Sequence, residues 1–187
     1  LNAIAAEEQI SLNALLLAAY FKLMNVWCHQ DDMIINMPVF NREQYFAGAR
    51  KTVGSFIDIF PVRLQTHFDE PIVQIARKAE AFTRKLLEVP VSSIELSREL
   101  FERQGLRATS MSSIIFSNSN GMYAGEVSGM KTIKLETPEF RTGAPGTFID
   151  LVIYDYRVRR NDNDVFYFNW NYIRDLFDRE FIETLAK

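Results

Sequence analysis

Residues 53–63 read Val-Gly-Ser-Phe-Ile-Asp-Ile-Phe-Pro-Val-Arg, and this stretch contains the β-strand on which the predicted fold depends. The part over 56–64 is rich in aromatic and β-branched residues, which favour strands. Gly54 separates it from the segment before it. Because Pro61 lacks a backbone N–H, we expect this strand to lie at a sheet edge or to contain a bulge.

Further segments along the chain have the composition of strands, and the last two are separated by polar turn residues, which predicts a hairpin. Helical segments lie between the strands without the regular alternation of a doubly wound fold. The sequence therefore predicts an α/β protein, a two-layer sandwich in which helices cover one face of a mixed β-sheet. The further predicted strands are 33–39, 113–117, 147–158 and 165–170.

Capping residues mark the predicted helices. Ser11 precedes an amphipathic helix, Ser92 and Glu95 have the spacing of a capping box, and Gly105 ends the helix that follows. The buried face of the first helix is predicted to consist of Leu12, Leu15, Leu16, Ala19, Leu23, Val26 and Trp27. The face of the last helix is predicted to consist of Ile173, Leu176, Phe177, Phe181 and Leu185.

Composition limits the possible functions. A chain of 187 residues that is 48% hydrophobic suits one domain, or one lobe of a larger domain, with a packed core. A net charge of −3 disfavours a nucleic-acid partner. The apolar run over 14–21 is too short to span a bilayer, and the single Cys28 allows no intrachain disulfide, which fits a reducing cytoplasm. His29 and His67 are isolated, so no metal site is predicted.

Several short motifs occur in a characteristic order. They are Met-Pro-Val-Phe-Asn-Arg over 37–42, Gly-Ser-Phe-Ile-Asp-Ile-Phe-Pro-Val-Arg over 54–63, Phe-Ile-Asp-Leu over 148–151, and the aromatic strand over 166–172. The set resembles the C-terminal half of condensation domains of nonribosomal peptide synthetases. In this resemblance Asp58 and Arg63 occupy the Asn and Arg positions of the motif G-x-F-x-N-x-x-x-x-R.

The resemblance implies a chloramphenicol acetyltransferase-like fold of two lobes with a tunnel between them. The catalytic His-His-x-x-x-Asp-Gly motif of the family belongs to the first lobe and does not occur here. Residues 1–187 are therefore expected to be the C-terminal lobe, a fragment of a larger chain that is inactive alone. The implied partners are the N-terminal lobe, peptidyl carrier proteins bearing phosphopantetheine arms, and an adjoining adenylation domain. No cofactor is expected to bind the chain itself.

A related subfamily, the heterocyclization domains, condenses and then cyclises Cys, Ser or Thr. Phe40-Asn41-Arg42 is similar to its first motif, whereas Gly54-Ser55-Phe56-Ile57 departs from its Gly-Asp-Phe-Thr at two positions. The subfamily uses a hydroxyl residue after a strand Phe and an Asp on a later strand, positions that Ser117 and Asp150 match. A third alternative is a carrier-protein docking module with 125–146 as its variable surface.

Two acidic side chains in apolar strands are candidate site residues. Asp150 is costly to bury unless paired, so it either forms an ion pair with an arginine such as Arg42 or Arg63 or acts as a base or acceptor facing the tunnel. Asp58 is expected on the same face as Phe60, either at a tunnel wall or paired with a cation.

The other candidates have structural and functional interpretations of the same kind. Arg63 is expected to form a salt bridge or to contact substrate, and Arg42 ends its own strand in the same way. Ser117 and Asn118 follow an apolar strand, where they either bond a substrate carbonyl or leaving hydroxyl or cap a turn.

Overall fold

The computed structural model describes residues 1–40, 48–88, 92–105, 110–119, 145–155 and 166–186. Groups of helices and groups of strands follow one another along the described chain. They are α1 (Asn2–Glu7), α2 (Leu12–Cys28), β1 (Asp32–Phe40), β2 (Ile57–Gln65), α3 (Ile72–Glu88), α4 (Ser93–Gln104), β3 (Ile114–Asn118), β4 (Ile149–Asp155), β5 (Phe166–Tyr172) and α5 (Arg179–Leu185).

The strands form one mixed sheet in the order β2-β1-β3-β4-β5. The central pairs, β1 with β3 and β3 with β4, are parallel, and the outer pairs, β2 with β1 and β4 with β5, are antiparallel. The predicted α/β class and mixed sheet are confirmed. Pro61 lies in β2 at the sheet edge, where a strand tolerates a missing N–H.

Helix α2 is the centre of the layer that covers one face of the sheet. It contacts β1 and β3 on one side and α3 on another. At its C-terminal end, the Trp27 ring lies 5.8 Å from the ring of Phe177 and 4.9 Å from that of Phe181. Contact on several sides explains why Leu17 and Phe21 are fully buried.

The predicted buried face of α2 is partly wrong. Ala19 is exposed and Val26 is 53% exposed, whereas Leu17 and Met24, which the periodicity did not select, are fully buried. The helix is apolar on nearly all sides because it packs against the sheet and against neighbouring helices. A sequence with little amphipathic contrast does not indicate which side faces solvent.

The predicted helix ends are mostly confirmed. The Ser11 hydroxyl accepts the Ala14 N–H, Ser92 and Glu95 form the capping box, and Gly105 adopts a left-handed φ of 63°. The last helix is the exception, because α5 begins only at Arg179. Residues 173–178 form turns, so Ile173 and Leu176, predicted on the face of that helix, are 39% and 56% exposed.

Replacing Leu17 by alanine is expected to lower the free energy of unfolding by about 2–5 kcal/mol, because it leaves a cavity in the packed layer. Val26→Ala is the matched control on the same helix, and we expect a change within about 0.5 kcal/mol because this side chain is largely exposed. Urea unfolding followed by circular dichroism measures both. Equal losses for the two variants would contradict the observed orientation of α2.

Candidate functional site

The two faces of the sheet differ in chemistry. In β4, Ile149, Leu151 and Ile153 join the core beneath the helices. Because successive side chains of a strand point to opposite faces, Asp150 and Tyr154 lie on the face away from that core. A polar site is therefore expected on the face of the sheet that lies away from the helices.

Ser117 and Asp150 meet on this second face. The parallel register places Ile115 of β3 beside Asp150 of β4, so Ser117 is the diagonal neighbour of the carboxylate. The Ser117 hydroxyl donates a hydrogen bond of 3.0 Å to Asp150 Oδ1. Asp150 is only 1% exposed, and this bond provides part of the compensation that a buried carboxylate requires. The structure thus brings together the two residues that the cyclisation alternative pairs.

Two asparagines of β5 extend the same surface. Asn171 lies opposite Asp150 in the antiparallel register, and Asn169 lies opposite Val152. Asn169 Nδ2 donates a 3.2 Å hydrogen bond to Asn171 Oδ1. We call Ser117, Asp150, Asn169 and Asn171 together the polar face. Neither asparagine was among the predicted site residues, although their alternation with Trp170 and Tyr172 is the period-two signal that reveals them.

Two cavities adjoin this region. One of about 570 Å³ is lined by Thr147, Asp150, Asn171 and Arg174 among others. A second of about 410 Å³ is lined by residues of β1, β2, α4 and the segment before β3, and also by Thr147. Thr147 is the one described residue that lines both cavities.

The second cavity contains the other acidic candidate. Asp58 is 8% exposed and accepts a 2.8 Å hydrogen bond from the hydroxyl of Ser93, the first residue of α4. A carboxylate there also interacts favourably with the positive end of the helix dipole. Asp58 and Phe60 both lie on the buried side of β2, as predicted. Asp58 therefore attaches α4 to the sheet and at the same time contributes to a cavity wall.

Asn36 also lines this cavity. It is 4% exposed, and its Nδ2 donates hydrogen bonds of 2.8 Å to the Ser110 hydroxyl and to the Ser112 carbonyl. The Ser112 hydroxyl in turn donates a 2.6 Å hydrogen bond to the carbonyl of Ile34. Side-chain hydrogen bonds therefore join β1 to the segment that leads into β3. Between β1 and β3 themselves, Asn36 with Ile115 is the one register pair in the described residues.

Tyr20 is a buried residue of α2 and lies on the helix side of the sheet. Its ring centroid is 5.8 Å from the ring centroids of both Phe116 and Trp170. Burial, and then the negative charge of Asp150, raise the pKa of its phenol well above the ordinary value, so the phenol stays neutral at physiological pH. The charge of Asp150 thus acts on side chains of both faces of the sheet.

Other chemistries find little support in the described part of the chain. No three His, Cys, Asp or Glu side chains group there in a way that suits a metal ion. Burial raises the pKa of the Cys28 thiol, which favours the unreactive protonated form. Within the same residues, no helix has the length and apolarity needed to cross a bilayer.

The sequence model described as "Condensation domain" matches residues 1–187. The chain belongs to the condensation-domain family. Bacitracin synthase 1 of Bacillus licheniformis is 22% identical to it over 185 residues, which are 97% of this chain and 3% of that synthase. Gramicidin S synthase 2 of Aneurinibacillus migulanus is 28% identical over 192 residues, covering 100% of this chain and 4% of that synthase.

Solved structures share the fold of this condensation-domain chain. The X-domain from teicoplanin biosynthesis has a TM-score of 0.73 at 17% identity, with coverage of 99% of this chain and 41% of that one. The first condensation domain of the CDA synthetase has a TM-score of 0.67 at 15% identity, covering 99% and 39%.

A cyclization domain shares the fold as well. The EpoB cyclization-docking bidomain from Sorangium cellulosum has a TM-score of 0.67 at 17% identity, covering 98% of this chain and 37% of that one. The likeness to both kinds of domain therefore establishes the fold and leaves the reaction to other evidence. The chain spans 37% to 41% of these solved chains and 3% to 4% of the two synthases.

The condensation-domain motif residue Arg63 lies away from both cavities. Its guanidinium forms a bidentate pair with Asp32, with Nε 2.8 Å from Oδ1, and both side chains are largely exposed. The expectation that Arg63 pairs with Asp150 is therefore wrong, and its salt bridge joins β2 to β1 instead. Arg42, the other arginine considered for that role, lies outside the described residues.

The side chain of Asn118 lies on the opposite face of β3 from that of its neighbour Ser117. Its Nδ2 donates a 2.7 Å hydrogen bond to Oδ1 of Asn13 in α2, so the side chain reaches the helix layer rather than the polar face. This contact favours the structural interpretation of Asn118. The proposed docking segment 125–146 lies outside the described residues except for 145 and 146.

The Arg63–Asp32 pair predicts a pH-dependent and salt-dependent contribution to stability. The hydrogen bond from Arg63 is the main cause that lowers the pKa of Asp32. Its stabilisation is therefore present above the pKa of an unfolded aspartate and is lost as the pH falls through the lowered folded-state pKa. Arg63→Met should slightly lower the unfolding temperature at neutral pH and low salt. The difference from wild type should vanish in strong acid and in about 1 M NaCl. A large difference persisting in either condition would contradict this.

Proposed function

We propose that this chain is the C-terminal lobe of a condensation domain that forms an amide bond between carrier-protein-tethered acyl or aminoacyl thioesters. The observation that carries the proposal is the condensation-domain model, which matches residues 1–187, while the His-His-x-x-x-Asp-Gly motif of the family does not occur in the chain. This chain covers 39% and 41% of two of the solved chains, which is the share expected of one lobe of two.

The proposed reaction needs positioning more than covalent catalysis. The acceptor amine attacks the donor thioester carbonyl and loses a proton, and the departing thiol stays on the phosphopantetheine arm of its carrier protein. By resemblance to the family, the catalytic histidine comes from the N-terminal lobe. This lobe then supplies the second wall, whose fixed polar groups orient the substrates. Carrier proteins and an adjoining adenylation domain are the proposed partners, and the cytoplasm is the proposed location.

Activity after lobe complementation tests this proposal. The chain alone is expected to leave carrier-bound thioesters unreacted, because it lacks the histidine motif. A polypeptide that joins it to its N-terminal lobe is expected to form the amide, measured by mass spectrometry of the carrier-bound product. The matched control replaces both histidines of that motif by alanine and should abolish the product. Turnover by the isolated chain would refute the proposal.

One observation favours a second candidate function, a heterocyclization domain that condenses and then dehydrates to a ring. The hydrogen bond from Ser117 to Asp150 joins the two residue types that this subfamily uses for cyclodehydration. An acid–base pair suits that step, because the ring hydroxyl must be protonated as it leaves and the nitrogen must lose a proton. An Asp-x-x-x-x-Asp motif in the N-terminal lobe would support this candidate, and His-His-x-x-x-Asp-Gly would support ordinary condensation.

Variants of the pair distinguish the two reactions. In the complete domain, Asp150→Ala should block ring formation and leave amide formation if the chain cyclises, because only the dehydration needs the pair. Ser117→Ala should do the same, and Ser117→Thr should retain the ring because it keeps the hydroxyl. Mass spectrometry separates the two products by one water. If both products persist in Asp150→Ala, the cyclisation candidate fails.

A further inference from the structure

Large apolar side chains are exposed together in the second cavity, which has a volume of about 410 Å³. Ile57 of β2 is 50% exposed and Ile94 of α4 is 75% exposed, and both line this cavity. Met111, before β3, lines it as well and is half-buried. Apolar surface of this kind is in unfavourable contact with water, and its concentration in a concave place marks a ligand site. A ligand with an apolar group would remove that contact.

Hydrogen bonds fix the relative position of two of these side chains. The Ser93 hydroxyl donates a 2.8 Å hydrogen bond to Asp58 and accepts one of 3.3 Å from the N–H of Ile59. Asp58 directly follows Ile57 in β2, and Ser93 directly precedes Ile94 in α4. The strand and the first turn of the helix are therefore joined at the residues beside the two exposed isoleucines. A wall fixed in this way loses little conformational entropy when a ligand binds.

The polar side chains of the same lining are bonded within the protein. Asp58 accepts the hydrogen bond from Ser93. Asn36 donates a 2.8 Å hydrogen bond to the Ser110 hydroxyl, which donates in turn to a backbone carbonyl. Because polar groups that satisfy one another gain little from a polar ligand that must give up its water, they do not select for one. What the cavity offers a ligand is chiefly apolar surface.

The register of the sheet connects this cavity to the polar face. Ile115 of β3, which lines the cavity, lies between Asn36 of β1 and Asp150 of β4 in one row across the sheet. Neighbouring strands are about 4.8 Å apart, and residues paired in this way point to the same face. The cavity therefore begins one strand away from Asp150. A substrate whose reacting group lies at the polar face reaches it with a side chain of a few carbon atoms.

We propose that the second cavity binds the apolar side chain of the tethered aminoacyl substrate and thereby selects substrates, with Ile57 and Ile94 as contacting residues. This inference deepens the proposed function and rests on it, because that function supplies the tethered substrate. The volume of about 410 Å³ lies in the lower part of the range of small-molecule pockets, which suits one side chain rather than a whole peptide.

Binding of unreactive substrate analogues to the polypeptide with both lobes tests the proposal. The probes are leucyl-, asparaginyl- and alanyl-pantetheine with an amide in place of the thioester, and isothermal titration measures their affinities. Each buried methylene strengthens binding about fourfold, so the leucyl probe should bind at least about tenfold more tightly than the alanyl probe. The asparaginyl side chain has nearly the shape of the leucyl one but is polar, so its probe should bind within about threefold of the alanyl probe.

Two variants and a matched control locate the bound side chain. Ile57→Ala and Ile94→Ala should each reduce the preference for the leucyl over the alanyl probe about threefold or more, because each removes part of the apolar wall. Ile72→Ala should keep the preference. Ile72 is also an exposed isoleucine at the start of a helix, α3, but it is not among the described residues that line either cavity. Because all three side chains are exposed, the unfolding temperatures should change little.

Three results would overturn the proposal. If wild type binds the leucyl probe no more tightly than the alanyl or the asparaginyl probe, the cavity does not select an apolar side chain. If Ile57→Ala or Ile94→Ala keeps the preference, or Ile72→Ala loses it, the side chain is bound elsewhere. If Ile57→Ala and Ile94→Ala keep the preference and unfold at a lower temperature, the N-terminal lobe covers these residues. None of these results depends on amide formation, so the lobe-complementation experiment decides the proposed function separately.

Discussion

The parallel pairing of β3 with β4 is the contact on which the candidate site depends. Its register places Ser117 within hydrogen-bond distance of Asp150, and its first backbone bonds fix Thr147 between the two cavities. Because side chains alternate along a strand, a slip of β4 by one residue would turn Asp150 toward the helices and away from Ser117. The side-chain hydrogen bonds of Ser117 to Asp150 and of Asn118 to Asn13, on opposite faces of β3, oppose a slip of β3.

The elements with a strong local signal were predictable from the sequence. The strands over 32–40 and 57–65 are apolar, bounded by polar residues, and marked by Pro61 at the edge, and they formed close to the predicted limits. The buried face of α2 and the start of α5 were not predictable in the same way. In α2 the tertiary contacts lie on several sides, and before α5 the residues from Ile173 are taken up by turns. Tertiary packing decided both.

Sequence patterns indicate which face of a strand a side chain occupies, but not how far apart two side chains lie. The candidate site was therefore predictable only in part. The resemblance to heterocyclization domains selected Ser117 and Asp150, and the structure places them in contact. The predicted ion pair between Arg63 and Asp150 is wrong because the two residues lie too far apart. Their strands, β2 and β4, are three positions apart in the sheet, or about 14 Å, which is too far for direct contact. Asn171 was missed because the strand over 166–172 was identified by its aromatic residues alone.

The two cavities share one design, in which a buried carboxyl group is bonded to a serine hydroxyl. Asp58 accepts from Ser93 and Asp150 accepts from Ser117, while Thr147 lies between them. A carboxylate held in this way resists movement and keeps a fixed field in its cavity, because its partners are themselves anchored in a helix or a strand. Such a field favours groups that are neutral or become positive, as an attacking amine does when it adds to a thioester. The serine hydroxyls therefore fix where each cavity favours positive charge.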